Sequence, residues 1–203
     1  MTTAASMTGL ILAGGQARRM QDGMAPTVDK GLLELCGEPL VAHARRFLAP
    51  QVQALLISAN RNAPLYARYG DVVGDDAALG TQLGPLAGME RALSVIKTPW
   101  LIVLPVDVVN VPDELVARLW AAVQPAGPLV AYARTPERAH PLCMVLHASL
   151  ADSLRRYLQA GDRKVQLWQA RHQAVAVPFD GAGLFFNINT PEDLRYASQC
   201  RRS

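Results

Sequence analysis

Short, continuously apolar segments alternate along the chain with segments in which apolar residues recur every three or four positions. Residues 9–13 and 100–104 contain no charged side chain, which is typical of strands buried on both faces of a sheet. The spacing of Leu86, Met89 and Leu93 is typical of a helix that covers a sheet with one face. This alternation predicts β-α units around a mostly parallel sheet.

The same pattern provides approximate bounds for the predicted elements. Strands are predicted at residues 9–13, 54–58, 71–73, 100–104, 129–133, 142–146 and 174–177. Helices are predicted at residues 40–48, 85–96, 112–123, 149–159 and 165–170, and a last one from Pro191 with Thr190 as N-cap and Asp193 in its first turn. Because no internal repeat or long linker interrupts the chain, we expect residues 1–203 to form a single three-layer α/β domain, with residues 1–8 mobile.

Composition and charge narrow the class of protein. Of the 203 residues, 50% are hydrophobic and 18% are charged, which excludes a disordered scaffold. The net charge of +3 is too small to argue for nucleic acid as a partner, but it suits small anionic ligands. Cys36, Cys143 and Cys200 form no Cys-x-x-Cys pair, which argues against a zinc site. Since no signal peptide or membrane-spanning apolar run is present, we expect a cytoplasmic protein that binds no membrane.

The loop after the first predicted strand is suited to phosphate binding. Gly14 and Gly15 lack a Cβ, so their N–H groups can approach a phosphate, and Arg18, Arg19 and Lys30 add positive charge. An ordinary glycine-rich turn with solvated basic residues is the alternative. Neither Gly-x-x-x-x-Gly-Lys-Ser/Thr nor Gly-x-Gly-x-x-Gly occurs here, which disfavours kinase, GTPase and hydride-transfer chemistry.

A carboxylate follows the clearest buried strand. Asp107 lies just beyond residues 100–104, where a carboxylate needs a cation or hydrogen-bond donors to stabilise it. Mg²⁺ held by one or two carboxylates and substrate phosphates is the usual arrangement, and capping of a local turn is the alternative. Asp75 and Asp76 are open to the same two interpretations. The glycine-rich segment 84–88 either directs a helix N-terminus at a ligand or permits close packing of that helix on the sheet.

Several motifs occur in order over nearly the whole chain. They are Leu12-Ala13-Gly14-Gly15 with Arg18-Arg19-Met20, Asp29-Lys30-Gly31, Gly84-Pro85-Leu86-Ala87-Gly88, Pro105-x-Asp107, His140-Pro141, Gly161-Asp162-Arg163-Lys164 and Asn187-Ile188-Asn189-Thr190-Pro191. With these motifs the chain resembles the molybdenum cofactor guanylyltransferases, which are nucleotidyltransferases with a Rossmann-like fold. The first motif and Pro-x-Asp are shared by many nucleotidyltransferases, whereas Asp-Lys-Gly, His-Pro and Asn-x-Asn-Thr-Pro narrow the resemblance to the molybdopterin branch.

For the phosphate end of a nucleotide, the resemblance implies backbone contacts and positive charge. The backbone contacts would come from Leu12, Ala13, Gly14 and Gly15. Lys30 would neutralise the phosphates of GTP and act in catalysis together with Asp107 and Arg19. Gln21 stands where the family usually has glycine, and the stretch to Asp29 is longer, so we expect residues 21–29 to form an extended active-site loop.

For the base and the metal, the resemblance implies a second set of residues. Asp75 best matches the family's guanine-binding aspartate, and Asp76 is close enough to be its substitute. Ser58 would contact the nucleotide at a position where relatives often carry asparagine. Asp107 would hold Mg²⁺, and Asn187 would bring a polar group to the same metal–phosphate region.

The activity implied by the resemblance is transfer of GMP from GTP to the terminal phosphate of molybdopterin or molybdenum-molybdopterin, with release of pyrophosphate. The implied partners are other cofactor-biosynthesis proteins and recipient molybdoenzymes, and we expect a monomer. A CTP-dependent molybdopterin cytidylyltransferase and a sugar-phosphate nucleotidyltransferase are the closest alternatives. A non-catalytic carrier of the cofactor is a further alternative, since the longer first loop departs from the family pattern.

Overall fold

A seven-stranded sheet passes through the described residues of the computed structural model, which are 6–15, 29–80, 84–124 and 127–200. The strands are β1 (Met7–Leu12), β2 (Glu34–Leu35), β3 (Glu38–Pro39), β4 (Ala54–Ser58), β5 (Asp71–Val73), β6 (Trp100–Pro105), β7 (Val108–Val109), β8 (Val130–Arg134), β9 (Ala139–His147), β10 (Val175–Pro178) and β11 (Phe186–Asn187). The helices are α1 (Leu40–Leu48), α2 (Ala63–Tyr66), α3 (Pro85–Val95), α4 (Leu115–Ala122), α5 (Ala151–Gln159), α6 (Val165–Arg171) and α7 (Pro191–Cys200).

The strand order of the large sheet is β10-β8-β9-β6-β1-β4-β5. Neighbouring strands are parallel except where β9 pairs with β6 and β8, so the predicted mostly parallel sheet is confirmed. The chain passes from β1 to β4 on one side and returns to β6 on the other. This reversal of strand order creates a crevice at the carboxyl ends of β1, β4 and β6, where ligands of open α/β sheets bind.

Helices cover both faces of the sheet and complete the three layers. Consecutive residues of β1 face opposite layers: Ile11 packs in the cluster that includes α1 and α4, whereas Leu10 packs in the cluster that includes α3 and α5. Both side chains are fully buried. Strands buried on both faces have no polar face to show in the sequence, which explains the continuous apolar runs.

The predicted helices and strands are all present, with small shifts at their ends. The helix expected from Pro112 begins at Leu115, whose N–H donates to the Pro112 carbonyl oxygen at 3.0 Å. The helix expected from residue 149 opens with a 3₁₀ turn, Ala148–Leu150, before α5. Met7 and Thr8 are buried residues of β1, so the prediction of a mobile segment over residues 1–8 is wrong at these two positions.

The elements that the apolar pattern misses are short. The hairpin β2–β3 turns at Cys36 and Gly37, which have positive φ angles of 54° and 82°. The antiparallel pair β7–β11 contains only two residues on each strand. Elements of this length contain too few residues to show a periodicity. Within the described residues, no helix has both the length and the apolar character needed to cross a membrane.

Gly88 permits close contact between α3 and the end of β4. A Cβ built at Gly88 would lie 2.8 Å from the Cβ of Ser58 and would clash with its Oγ. Ser58 itself is 7% exposed and has little room to withdraw. The glycine in the middle of this helix is therefore required by packing, which is one of the two interpretations open from the sequence.

We predict that Gly88→Ala destabilises the protein by about 1–3 kcal/mol, because the added methyl group overpacks the contact with Ser58. Urea unfolding measures the change. Ser94→Ala, on an exposed position of the same helix, is the control and should alter stability by less than about 0.5 kcal/mol. The double variant Ser58→Gly/Gly88→Ala should recover part of the loss, and a single variant as stable as the parent would contradict this account.

Candidate active site

A cleft of about 660 Å³ opens at the carboxyl ends of the central strands. Its walls come from the loops after β1, β4, β5 and β6, from the start of α3 and from β9. The lining residues are Leu12, Gly14, Gly15, Lys30, Ser58, Asn60, Arg61, Asp75, Gly84, Pro85, Pro105, Val106, Asp107 and Leu142. The cleft therefore lies at the reversal of strand order, and it contains most of the residues singled out from the sequence.

Lys30 and Asp107 meet at the floor of this cleft. The Lys30 Nζ donates to Asp107 Oδ2 at 2.6 Å and to Asn189 Oδ1 at 2.8 Å. Only 12% of the lysine side chain and 18% of the aspartate side chain are exposed. One ammonium group thus joins three segments that are far apart in the chain. Asn189 takes this place without having been singled out from the sequence as a site residue.

Packing and a backbone hydrogen bond hold Lys30 in position. Its N–H donates to the Gly15 carbonyl oxygen at 3.1 Å, which ties the 3₁₀ turn Lys30–Leu32 to the end of the β1 loop. Gly31 is buried against Tyr66, and a Cβ there would lie only 2.8 Å from the tyrosine hydroxyl. Burial also raises the pKa of Tyr66, so its hydroxyl stays protonated. The Asp-Lys-Gly motif therefore has a packing reason for its glycine.

Asp29, immediately before Lys30, is a buried carboxylate with its own donors. It is 2% exposed and receives hydrogen bonds from Arg61 and from Asn62 Nδ2, the latter at 2.8 Å. A buried carboxylate requires such partners to remain charged. The residues after β4 thus support the segment that carries Lys30, a role that the sequence analysis did not assign to them.

The antiparallel pair β7–β11 places Asn189 beside Asp107. The Ile188 N–H donates to the Asp107 carbonyl oxygen at 2.9 Å, and Asn187 pairs with Val108. The side chain of Asn187, however, accepts a hydrogen bond from Arg138 at 2.8 Å. The polar group that we expected Asn187 to bring to the phosphate region is therefore bonded to Arg138, and Asn189, two residues later, meets Lys30 instead.

The backbone at the end of β1 is only partly available to a ligand. The Ala13 N–H donates to the Ser58 carbonyl oxygen at 2.9 Å, and the Leu12 carbonyl oxygen accepts from the Val106 N–H at 3.1 Å. Ala13 is buried and its N–H already has an acceptor, so its amide is less available to a ligand than those of the two glycines that follow. Gly14 and Gly15 are exposed in the cleft, and their N–H groups have no partner among the described residues.

Asp75 and Asp76 point to different partners. Asp75 lines the cleft, and its carboxylate accepts from Asn60 Nδ2 at 2.8 Å. Asp76 accepts from the Ala78 N–H at 2.9 Å and from Arg155 at 3.0 Å, and these two bonds hold its pKa below the usual value. Asp76 is therefore part of the loop's own structure, which favours Asp75 as the acid that faces the cleft.

Arg155 on α5 links the Asp76 loop to the helix behind it. Its guanidinium also donates to Glu90 Oε1 at 2.7 Å, and the Glu90 side chain is only 3% exposed. This ion pair anchors the loop that carries Asp75 to α3 and α5.

The histidine of the His140-Pro141 motif lies in the interior of the protein. His140 is 6% exposed and stacks on Phe185 with ring centroids 4.5 Å apart, and burial lowers the pKa of its imidazole. It therefore packs in the interior and supports the chain before β11. Arg19 and most of the extended loop predicted at 21–29 lie outside the described residues, which resume at Asp29.

The chain has clear relatives among known proteins. Residues 9–175 match the model of the MobA-like NTP transferase domain. A protein of Shewanella amazonensis named molybdenum cofactor guanylyltransferase is 44% identical over 191 residues, 94% of each chain. A protein of the same name from Yersinia pseudotuberculosis is 44% identical over 198 residues, 97% of each chain. The crystal structure of molybdopterin-guanine dinucleotide biosynthesis protein A from Archaeoglobus fulgidus has a TM-score of 0.78 and 27% identity, covering 97% of this chain and 100% of that chain.

The start of α7 fixes the backbone of Asn189. Asp193 Oδ2 accepts from the N–H groups of Asn189 at 2.8 Å and Thr190 at 2.9 Å, and the Thr190 hydroxyl accepts from the Asp193 N–H at 3.1 Å. This reciprocal cap confirms the predicted N-terminus of the last helix. The same N–H groups lower the pKa of Asp193, with the largest effect from that of Asn189.

We predict that Asp193→Ala lowers the free energy of unfolding by about 1 kcal/mol at pH 7, since two backbone N–H groups lose their acceptor. A carboxyl with a lowered pKa stabilises the fold above its unfolded pKa and ceases to do so as the pH falls through the folded value. The difference between variant and parent in urea unfolding should therefore shrink in acid. Glu192→Ala, which removes an exposed neighbouring acid, is the control, and an equal loss there would refute the role of the cap.

Proposed function

Because the chain belongs to the MobA-like NTP transferase family, we propose that it transfers a guanylyl group from GTP to the terminal phosphate of molybdopterin and releases pyrophosphate. Relatives that share 44% of its residues over nearly their whole length are named for guanylyl transfer in the molybdenum cofactor pathway. The observation that carries the proposal is the contact of Lys30 with Asp107 and Asn189 at the floor of the 660 Å³ cleft.

The reaction needs no nucleophile from the protein. An oxygen of the molybdopterin phosphate forms a bond to the α-phosphorus of GTP, and the bond from that phosphorus to the bridging oxygen of the β-phosphate breaks. A phosphate monoester is largely ionised at neutral pH, so it can attack directly. The enzyme must chiefly overcome repulsion between two polyanions. Lys30 and the N–H groups of Gly14 and Gly15 are groups in the described part of the cleft that can do so, whereas Arg61, which also lines it, is paired with Asp29.

Magnesium is the cation that we propose for this site. The described residues include no group of three or more His, Cys, Asp or Glu that could hold a metal by themselves. Mg²⁺ commonly takes one carboxylate together with substrate phosphates, and Asp107 supplies that carboxylate, with the Asn189 amide oxygen as a further oxygen donor. The bound ion would neutralise negative charge on the triphosphate.

Asp75 is the residue that we propose for recognition of the base. A carboxylate can accept from both the N1–H and the 2-amino group of guanine, and a site built to hold these donors rejects a base that lacks them. Asp75 lines the cleft and takes part in none of the ion pairs among the described residues, whereas Asp76 is bonded to Arg155. Ser58, buried beside the β1 loop, also lines the cleft and is proposed as a further nucleotide contact.

We also propose that the protein works as a monomer in the cytoplasm and passes its product to molybdoenzymes. The names of its relatives, which concern synthesis of the molybdenum cofactor, support the transfer of the product to molybdoenzymes.

Removal of the Asp107 carboxylate should lower the rate of pyrophosphate release by about 10²–10³-fold, the usual effect of losing one preorganised charge. A coupled assay with GTP, molybdopterin and Mg²⁺ measures the rate of the Asp107→Ala variant, and circular dichroism shows whether it is folded. Asp113→Ala, an exposed carboxylate outside the cleft, is the control and should leave the rate unchanged. An unchanged rate in Asp107→Ala would remove Asp107 from the mechanism.

A titration of the protein with GTP and with CTP, each with Mg²⁺, tests the proposed base specificity. We expect GTP to bind and CTP to fail, since cytosine cannot donate from N1–H and a 2-amino group to Asp75. Binding of CTP would favour a cytidylyltransferase, and turnover of a sugar phosphate in place of molybdopterin would favour a sugar-phosphate nucleotidyltransferase. A carrier would bind the cofactor but release no pyrophosphate.

A further inference from the structure

The residues that follow β4, Asn60–Arg61–Asn62, contact both ends of the cleft; they are called the β4 loop here. Asn60 reaches the base end, where it bonds Asp75. Arg61 and Asn62 reach the phosphate end, where both donate to Asp29 beside Lys30. The β4 loop is therefore the segment through which the two ends of the proposed nucleotide site are connected.

Asn60 makes two hydrogen bonds to the same residue. Its Oδ1 accepts from the Asp75 N–H at 2.7 Å, and its Nδ2 donates to Asp75 Oδ2 at 2.8 Å. The first bond holds the backbone of Asp75 and the second holds its carboxylate. Together they restrict the rotation of a short side chain that would otherwise turn freely toward solvent.

The two hydrogen bonds of Asn60 affect how the Asp75 carboxylate can bind guanine. Two parallel hydrogen bonds, from N1–H and from the 2-amino group, require the carboxylate plane to match the edge of the base. A single bond from N1–H tolerates a much wider range of orientations. The bond from Asn60 engages only Oδ2, so the remaining lone pairs of Asp75 stay available to the base. Orientation of the carboxylate thus decides whether the 2-amino group is recognised.

We infer that Asn60 is a specificity-determining positioning residue, which holds Asp75 in the orientation that distinguishes guanine from a purine lacking the 2-amino group. The inference rests on the proposed function, because it deepens the base recognition assigned to Asp75. Asn62 has the matching role at the other end of the same loop, where it supports Asp29 and hence Lys30. The two asparagines therefore act on different properties of the same substrate.

The test compares turnover of GTP and ITP, since ITP keeps N1–H but lacks the 2-amino group. In Asn60→Ala we expect the preference for GTP over ITP, measured as the ratio of kcat/KM values, to fall about tenfold, as for loss of one hydrogen bond to a charged group. The loss should appear mainly as a higher KM for GTP. Competitive inhibition by inorganic tripolyphosphate should be unchanged, because that probe has no base.

Asn62→Gly is the matched control. Asn62 has a positive φ of 52°, which glycine adopts without strain, so the change removes the side chain alone. This variant should bind tripolyphosphate more weakly and have a lower kcat, while it keeps the parent's preference for GTP over ITP. Asn60→Asp, which keeps the size of the side chain but places a second carboxylate against Asp75, should lose the preference as Asn60→Ala does.

The outcomes separate this inference from the function on which it rests. A parent protein that releases no pyrophosphate from GTP, or that prefers CTP, refutes the proposed function. A parent that prefers GTP, together with Asn60→Ala and Asn60→Asp variants that retain the parental GTP/ITP ratio, overturns the inference alone. Loss of the ratio in Asn62→Gly to the same extent would also overturn it, since the β4 loop would then act only as a whole.

Discussion

The contact between Lys30 and Asp107 is the interaction on which the rest of the site depends. Both side chains are more than four-fifths shielded from solvent, so either charge without the other would be strongly disfavoured. Asn189 satisfies a second donor of the same ammonium group. The floor of the cleft is therefore neutral before any ligand arrives. In the proposed reaction, Lys30 would pair with the triphosphate and Asp107 with its cation, so binding would exchange one ion pair for two.

The sheet and the larger helices could be predicted because their burial repeats along the chain. A short segment such as β6, which is apolar over its whole length, is typical of a strand that is buried on both faces of a sheet. The pairs β2–β3 and β7–β11 could not be predicted, since two residues show no period and their pairing depends on contacts distant in sequence. The turn at Cys36 could not be predicted either. Cys36 has a positive φ, but cysteine is not one of the residue types that are common in turns.

The site was predictable in its residue types and less so in their orientations. Lys30 belongs to a motif, Asp107 follows a buried strand and Asp75 follows the short strand β5, and all three lie in one cleft. Asp75 and Asp76 are adjacent acids whose side chains have different partners. Asp75 is bonded by Asn60 and lines the cleft, whereas Asp76 is bonded by Arg155. The choice between Asn187 and Asn189 likewise depends on the pairing of β11, which the sequence does not reveal.

The β7–β11 pair makes completion of the cleft depend on a part of the chain that is synthesised late. Lys30 and Asp107 belong to the first two-thirds of the protein, whereas the strand that brings Asn189 to them comes near its end. Because β11 is synthesised after β1, β4 and β6, the contact of Asn189 with Lys30 can form only once β11 is available to pair with β7. The floor of the cleft is therefore completed after the residues of its walls have been made.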